Sequence, residues 1–445
     1  MTVSPNAVTP TTELDAATPA SPSRTFWVRL GLAAALALAV RLAYLLGTKR
    51  HSPPVGDAIY YSGEALTIAR GHWFTHPYVA GPAADHPPGT AVLLAPAAWL
   101  APGSLFAQRL LVTIAGVGVV VLIGLLTRRL AGDRAGIVAA VIAALYANLW
   151  MNDVLTMSET FSAAFIVFAL LALYRYADAP GVARAAVAGA VIGAAVLVRA
   201  ELALLAPLVL LPLILRSGHD RLRQLAAAAA ALLAVNAPWF VFNLTRFNDV
   251  VFVSTNDGLT IRGANCKDTY SGNGLGFWDL RCALDDPAPA GSDESEQSAW
   301  WRDHGFEYMT ENLDRLPAVM TVRVLRTWSL YEPEQMNVFN QGEDRDRWAS
   351  KLGVYSFWLL APVAVAGAVV LRRRRVLLLP LLALPVIVTL VAAWFYGLVR
   401  FRLPAEISVV VLAAVAVDAF MARRGRRAAA APTTSPARHD GLADG

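Results

Sequence analysis

Leu110 to Leu126 reads LLVTIAGVGVVVLIGLL, a run without one ionisable side chain that stops at Thr127-Arg128-Arg129. A helix needs roughly 20 predominantly apolar residues to cross the hydrocarbon of a bilayer, and with its flanks this run is long enough. Comparable runs recur at Gly31–Leu46, Ala185–Val198 and Val376–Val391. In lipid every backbone amide and carbonyl must be paired inside the structure, so only helices and closed barrels span. Barrel strands alternate apolar and polar residues, and these runs do not. They predict an all-α polytopic membrane protein. The whole chain agrees: its 445 residues are 56% hydrophobic and 16% charged, against about 25% charged in soluble domains, and the mean hydropathy is +0.48.

The net charge of +5 is distributed in a way that argues against nucleic acid. Arginines cluster after apolar runs: Arg128, Arg129 and Arg134; Arg216, Arg221 and Arg223; Arg372 to Arg375; and Arg423, Arg424, Arg426 and Arg427. Short loops rich in Lys and Arg lie on the cytoplasmic side, and these clusters fall at every second turn of a helical hairpin series. A nucleic-acid surface needs one contiguous basic face instead.

Threading the chain on that rule gives about ten spans, near 26–46, 107–127, 135–151, 159–176, 185–215 split in two, 225–243, 352–371, 376–394 and 403–420. The split falls at Arg199 and Glu201, a charged pair inside a run too long for one crossing. Both termini are then cytoplasmic, in a cell-membrane protein. Residues 1–25 and 423–445 read as disordered tails. Residues 26–243 form a transmembrane half with an outer loop at 47–89, residues 244–351 an extracytoplasmic lobe, and residues 352–422 the last transmembrane helices. Cys266 and Cys282, the only two cysteines, fall in the lobe. A bridge between them suits an oxidising compartment; two free thiols are the alternative.

The polar residues that carry chemistry gather at the outer ends of spans. Asp57 stands in Val55-Gly-Asp-Ala-Ile, with Glu64 further along a short helix over 58–70. Ala84-Asp-His-Pro-Pro-Gly89 precedes an apolar stretch, Met157-Ser-Glu-Thr160 opens a span, and Arg400-Phe-Arg-Leu-Pro404 opens the last one.

This order of motifs resembles the GT-C membrane glycosyltransferases, in particular the protein O-mannosyltransferases and the lipid A aminoarabinose transferases. The matching positions are Asp57, Asp85-His86-Pro87-Pro88, Glu159, Arg199–Glu201 and Arg402-Leu403-Pro404. Ala58 replaces a second acid common after the loop aspartate, and His86 stands where lysine is common. The resemblance implies transfer of a sugar from a polyprenyl-phosphate donor to an acceptor on the extracytoplasmic face, with inversion. The acceptor is a glycan, a lipid or a protein.

The chemistry also suits the residue types directly. A carboxylate near the attacking group acts as general base, and fixed cations stabilise charge on a departing phosphate. Asp57 is the candidate base, or a helix cap. Asp85, His86, Arg400 and Arg402 are candidate donor contacts, the two arginines alternatively interfacial anchors. Glu159 is a second catalytic candidate, positioning acceptor, sugar or a divalent ion, or a cap. Arg199 and Glu201 read as a structural turn pair. Adjacent Asp85 and His86 are at most half a metal site, so a divalent ion is a candidate cofactor without a ligand set. A flippase for a lipid-linked sugar would share the spans but would need no base.

Overall fold

The computed structural model describes residues 23–429 except His219. Among these every regular element is a helix, and the only β pairing is an isolated bridge between Thr75 and Pro82. Among the described residues six helices are long and apolar enough to cross a membrane: Arg24–Lys49, Leu105–Ala131, Glu159–Asp178, Arg221–Arg246, Arg347–Arg373 and Val399–Arg424. Three shorter apolar helices, Gly89–Leu100, Val182–Val196 and Leu379–Trp394, pack among them. The result is a multi-pass membrane bundle.

Local chemistry sets the ends of these helices. Ser104 caps the Leu105–Ala131 helix by accepting from the Ala107 amide at 3.2 Å. Gly132, at φ +93°, closes it and starts the next helix with no intervening loop. Small residues then let backbones approach, the usual basis of helix association in lipid. Gly367 touches the Leu412 carbonyl where 347–373 crosses the last helix. Gly189 does the same against Ala228 of the 221–246 helix.

Two segments depart from a simple ten-span reading. The apolar stretch 135–151 is not one helix: Asp133–Leu145 ends at Tyr146, and a single turn, Ala147–Trp150, follows. The break turns Tyr146 and Asn148 toward the Glu406 carboxylate, which both contact. Non-helical backbone then continues to Ser158, every residue buried. Such backbone is tolerated at membrane depth only inside protein. It carries Asp153, which pairs with Arg41 of the first span at 2.6 Å and accepts from Thr160. The second departure is at the C-terminus. Helix continues to Ala429, past the expected boundary at 422. The remainder of the two expected tails, 1–22 and 430–445, lies outside the described residues.

The long apolar run over 185–215 breaks between Val196 and Ala200, with Arg199 extended at the bend. The lobe begins after Arg246. Its helix Asn256–Ala264 packs on Glu294–Glu311, which starts with a reciprocal cap between Asp293 and Glu296. Cys266 and Cys282 are joined in a disulfide, with 6.2 Å between their Cα atoms. The lobe is tied to the bundle by Arg323, which donates to the Ala393 and Trp394 carbonyls, and by a 2.9 Å bond from Gly397 N to Gly276 O.

Candidate active site

A cavity of about 830 Å³ lies where the lobe meets the bundle. Its lining is mixed: apolar side chains from Leu204, Val391, Phe395 and Val250–Val253, and ionisable ones from Asp57, His86, Arg199 and Arg400. The cavity therefore combines apolar surface with a cluster of ionisable groups.

Asp57 is the first residue of the Asp57–Ala69 helix, and the preceding cap position is Gly56 at φ +59° with no side-chain cap. Its carboxylate is spent elsewhere. Oδ2 accepts from Arg400 Nη2 at 2.7 Å, and Oδ1 lies 3.7 Å from His86 Nε2. Burial works to raise its proton affinity. The charges of Arg400, His86 and Arg199 outweigh that and hold Asp57 well below the usual carboxylate range.

His86 stacks on Tyr61 with ring centroids 4.8 Å apart, and its Nδ1 faces Asn256 Nδ2 of the lobe at 3.4 Å. The motif's glycine has its own task. Gly89 N donates to Leu197 O at 2.7 Å, and a Cβ there would sit 2.5 Å from that oxygen. The loop bearing His86 is thereby fixed to the bend bearing Arg199. Arg199 pairs with Glu201 at 2.5 Å, and both line the cavity.

Three other expected site residues stand back from the cavity. Asp85 accepts from His76 Nε2 at 3.2 Å, and its backbone carbonyl holds Ser254. Glu159 is 1% exposed and meets Arg345 at 3.3 Å and Arg199 at 3.5 Å. Arg402 is fully buried: Nε binds Glu406 Oε1 at 2.5 Å, Nη1 binds Thr327 O and Ser329 Oγ, and the guanidinium lies over Phe357. Among the described residues no three His, Cys, Asp or Glu side chains converge as metal ligands. Asp85 and His86 point to different partners and do not begin a coordination shell, so no step is assigned to a metal.

Two lobe residues complete the charge pattern, and both escape sequence reasoning. Glu343 pairs with Arg400 at 2.6 Å, and Arg345 links Glu343 to Glu159. Acids and bases thus alternate from Asp57 through Arg400, Glu343 and Arg345 to Glu159. Their only signal in the sequence is the mixed run Glu343-Asp-Arg-Asp-Arg347 ahead of an apolar helix. Behind the cavity a second set of carboxyls gathers: burial and the Asp85 charge push both Glu64 and Glu294 up to about 8.

Residues 85–253 match the sequence model of the dolichyl-phosphate-mannose-protein mannosyltransferase family. No curated protein matches the chain. Among solved structures, the apo oligosaccharyltransferase of Archaeoglobus fulgidus is similar at a TM-score of 0.52 and 16% identity, over 91% of this chain and 51% of that one. The same enzyme tethered to an acceptor peptide containing the NVT sequon gives 0.50, 16%, 91% and 50%. ArnT from Cupriavidus metallidurans bound to undecaprenyl phosphate gives 0.38 and 17%, over 89% and 78%. The chain spans about half the length of the archaeal enzyme. Over residues 85–253 the chain resembles the dolichyl-phosphate-mannose-protein mannosyltransferase family, and its helical membrane fold is similar to that of the archaeal oligosaccharyltransferase.

Proposed function

We propose that the chain transfers a sugar from a polyprenyl-phosphate carrier to an acceptor at the extracytoplasmic face. The observation that carries this reading is the mixed lining of the cavity, where apolar side chains stand together with the Asp57, His86, Arg199 and Arg400 cluster. An isoprenoid tail suits the apolar part of the lining. Arg199, Arg400 and His86 fit the phosphate, arginine being suited to bidentate binding of phosphate oxygens. The family match over residues 85–253 supports the same donor class.

In this reading Asp57 takes the proton of the acceptor's attacking group as that group bonds to the anomeric carbon. The bond from that carbon to the phosphate oxygen breaks, and the cations take up the charge left on the phosphate. A single displacement inverts the anomeric centre. The helix ends support the orientation. Arg128, Arg129, Arg216, Arg372 and Arg373 lie at ends opposite those bearing Asp57 and Glu159, which the positive-inside rule assigns to the cytoplasm.

The test is transfer by protein in lipid nanodiscs, using a panel of polyprenyl-phosphate sugars and acceptors. Asp57→Asn should lose roughly 10²–10⁴-fold in turnover, the usual contribution of a general base, while keeping its melting temperature and undecaprenyl phosphate binding. Near-wild-type turnover in that variant would remove Asp57 as the base. A chain that moves lipid-linked sugar across vesicles without cleaving it would be a flippase instead.

A further inference from the structure

The three donor groups of the Arg400 guanidinium are committed unequally. Nη2 meets Asp57 at 2.7 Å, Nη1 meets Glu343 at 2.6 Å, and Nε is buried with no partner. The side chain is 10% exposed and lines the cavity. An unpaired buried donor on a charged group is costly, and an acceptor brought by a ligand would satisfy it.

Glu343 does not line the cavity, yet its backbone is held firmly. The adjacent Asp344 accepts from Lys49 at 2.9 Å and from Arg109 at 3.0 Å. Arg345 donates to Asn152 Oδ1 at 2.9 Å. Glu343 and Arg400 each belong to a single 3-10 turn, Asn340–Glu343 and Val399–Arg402. They differ in placement: the arginine lines the cavity and the glutamate does not.

We propose that Glu343 is a positioning residue: it retains Arg400 at the cavity while the other arm changes partner, from Asp57 in the empty site to the phosphate of an arriving donor. This rests on the polyprenyl-phosphate reading above. With Nη1 held by Glu343, Arg400 meets Asp57 through one nitrogen only. Without Glu343 the guanidinium is free to close bidentately on Asp57, the stronger geometry, and is withdrawn from the phosphate. Donor arrival would then also release the base, since Arg400 is the largest charge acting on Asp57, ahead of His86 and Arg199. Donor binds before acceptor is deprotonated.

The experiment measures binding of undecaprenyl phosphate, with undecaprenol as control, to protein in nanodiscs. Glu343→Ala should weaken binding by about tenfold or more, but by less than about threefold in an Asp57→Asn background, where Arg400 has no aspartate to close on. Glu343→Gln keeps an acceptor for Nη1 and should bind like wild type. Glu343→Ser, too short to reach Arg400, replaces the alanine variant if that one does not fold. Tighter binding in both backgrounds would mean a mere neighbouring charge, and equal weakening in both a mere scaffold; either overturns the proposal. Wild type that binds the phosphate no better than undecaprenol would sink the donor reading itself. Discrimination of the two lipids without dependence on Glu343 would remove only the positioning role.

Discussion

Gly89 donates its amide hydrogen to the Leu197 carbonyl at 2.7 Å, and that bond joins the loop carrying His86 to the bend carrying Arg199. A methyl group at position 89 would press on backbone, since its nearest neighbours are Leu197 O at 2.5 Å and Leu197 C at 2.9 Å. Backbone cannot swing aside as a flexible side chain can. Gly89→Ala should cost about 1–3 kcal/mol, as overpacking does, and should slow transfer by separating His86 from Arg199. Melting temperature and donor KM, measured together, check this; an unchanged KM would show that the two loops keep their places without the bond.

Arg402 and Glu406 form a buried pair one helical turn apart, with side chains 0% and 2% exposed. Removing one partner of such a pair strands the other charge and costs roughly 3–5 kcal/mol. Arg402→Ala should therefore lower folded yield and melting temperature, while protein that survives purification keeps its donor KM. Pairing Arg402→Met with Glu406→Gln should recover part of the stability. A rise in KM without a fall in melting temperature would return Arg402 to the phosphate.

The contrast between Arg400 and Arg402 shows where sequence reading stops. Both sit in Arg400-Phe-Arg402 and look equally suited to a phosphate, yet residues two apart leave a tight turn in different directions. One meets Asp57, the other Glu406. The spans were legible because a bilayer demands long uncharged runs, and the bend at Arg199 because a charged pair interrupts one. Asp57 and His86 were legible as polar residues at span ends. Glu343 and Arg345 were not: their partners come from the buried 151–158 segment, the 159–178 helix and the start of the last helix, and no local pattern records that docking. The break at Tyr146 was hidden for a similar reason, because its partner Glu406 is far along the chain.

Glu64 is fully buried with neither carboxyl oxygen paired, and burial with the nearby Asp85 and Glu294 charges pushes it up to about 8. The sign of the linkage follows. In the unfolded chain the group ionises near pH 4.3, so its contribution to stability is whole below that value and is lost as pH rises toward 8. Glu64→Gln removes the penalty. It should flatten the fall in melting temperature between pH 5 and 8 and raise it at pH 8 by on the order of 5 °C. A variant that tracks wild type across that range would show Glu64 to be ionised at neutral pH in the folded protein.

The disulfide should matter for rate as well as stability. Cys266 and Cys282 are 16 positions apart, and closing a loop of that size stabilises by about 3 kcal/mol in the chain-entropy model. The closed loop contains Gly276, whose carbonyl accepts from Gly397, three residues before Arg400. Trp278, also inside it, leans on Tyr396, a residue of the cavity wall. Loosening the loop therefore loosens the segment that presents Arg400 to Asp57. Cys266→Ser with Cys282→Ser should lower the melting temperature and also raise donor KM at temperatures where the protein is still folded. Alkylation without reductant should modify neither thiol of the native protein. Cysteine-free protein with wild-type KM well below its melting temperature would confine the bridge to stability, and would mean that Arg323, through its bonds to Ala393 and Trp394, braces the segment unaided.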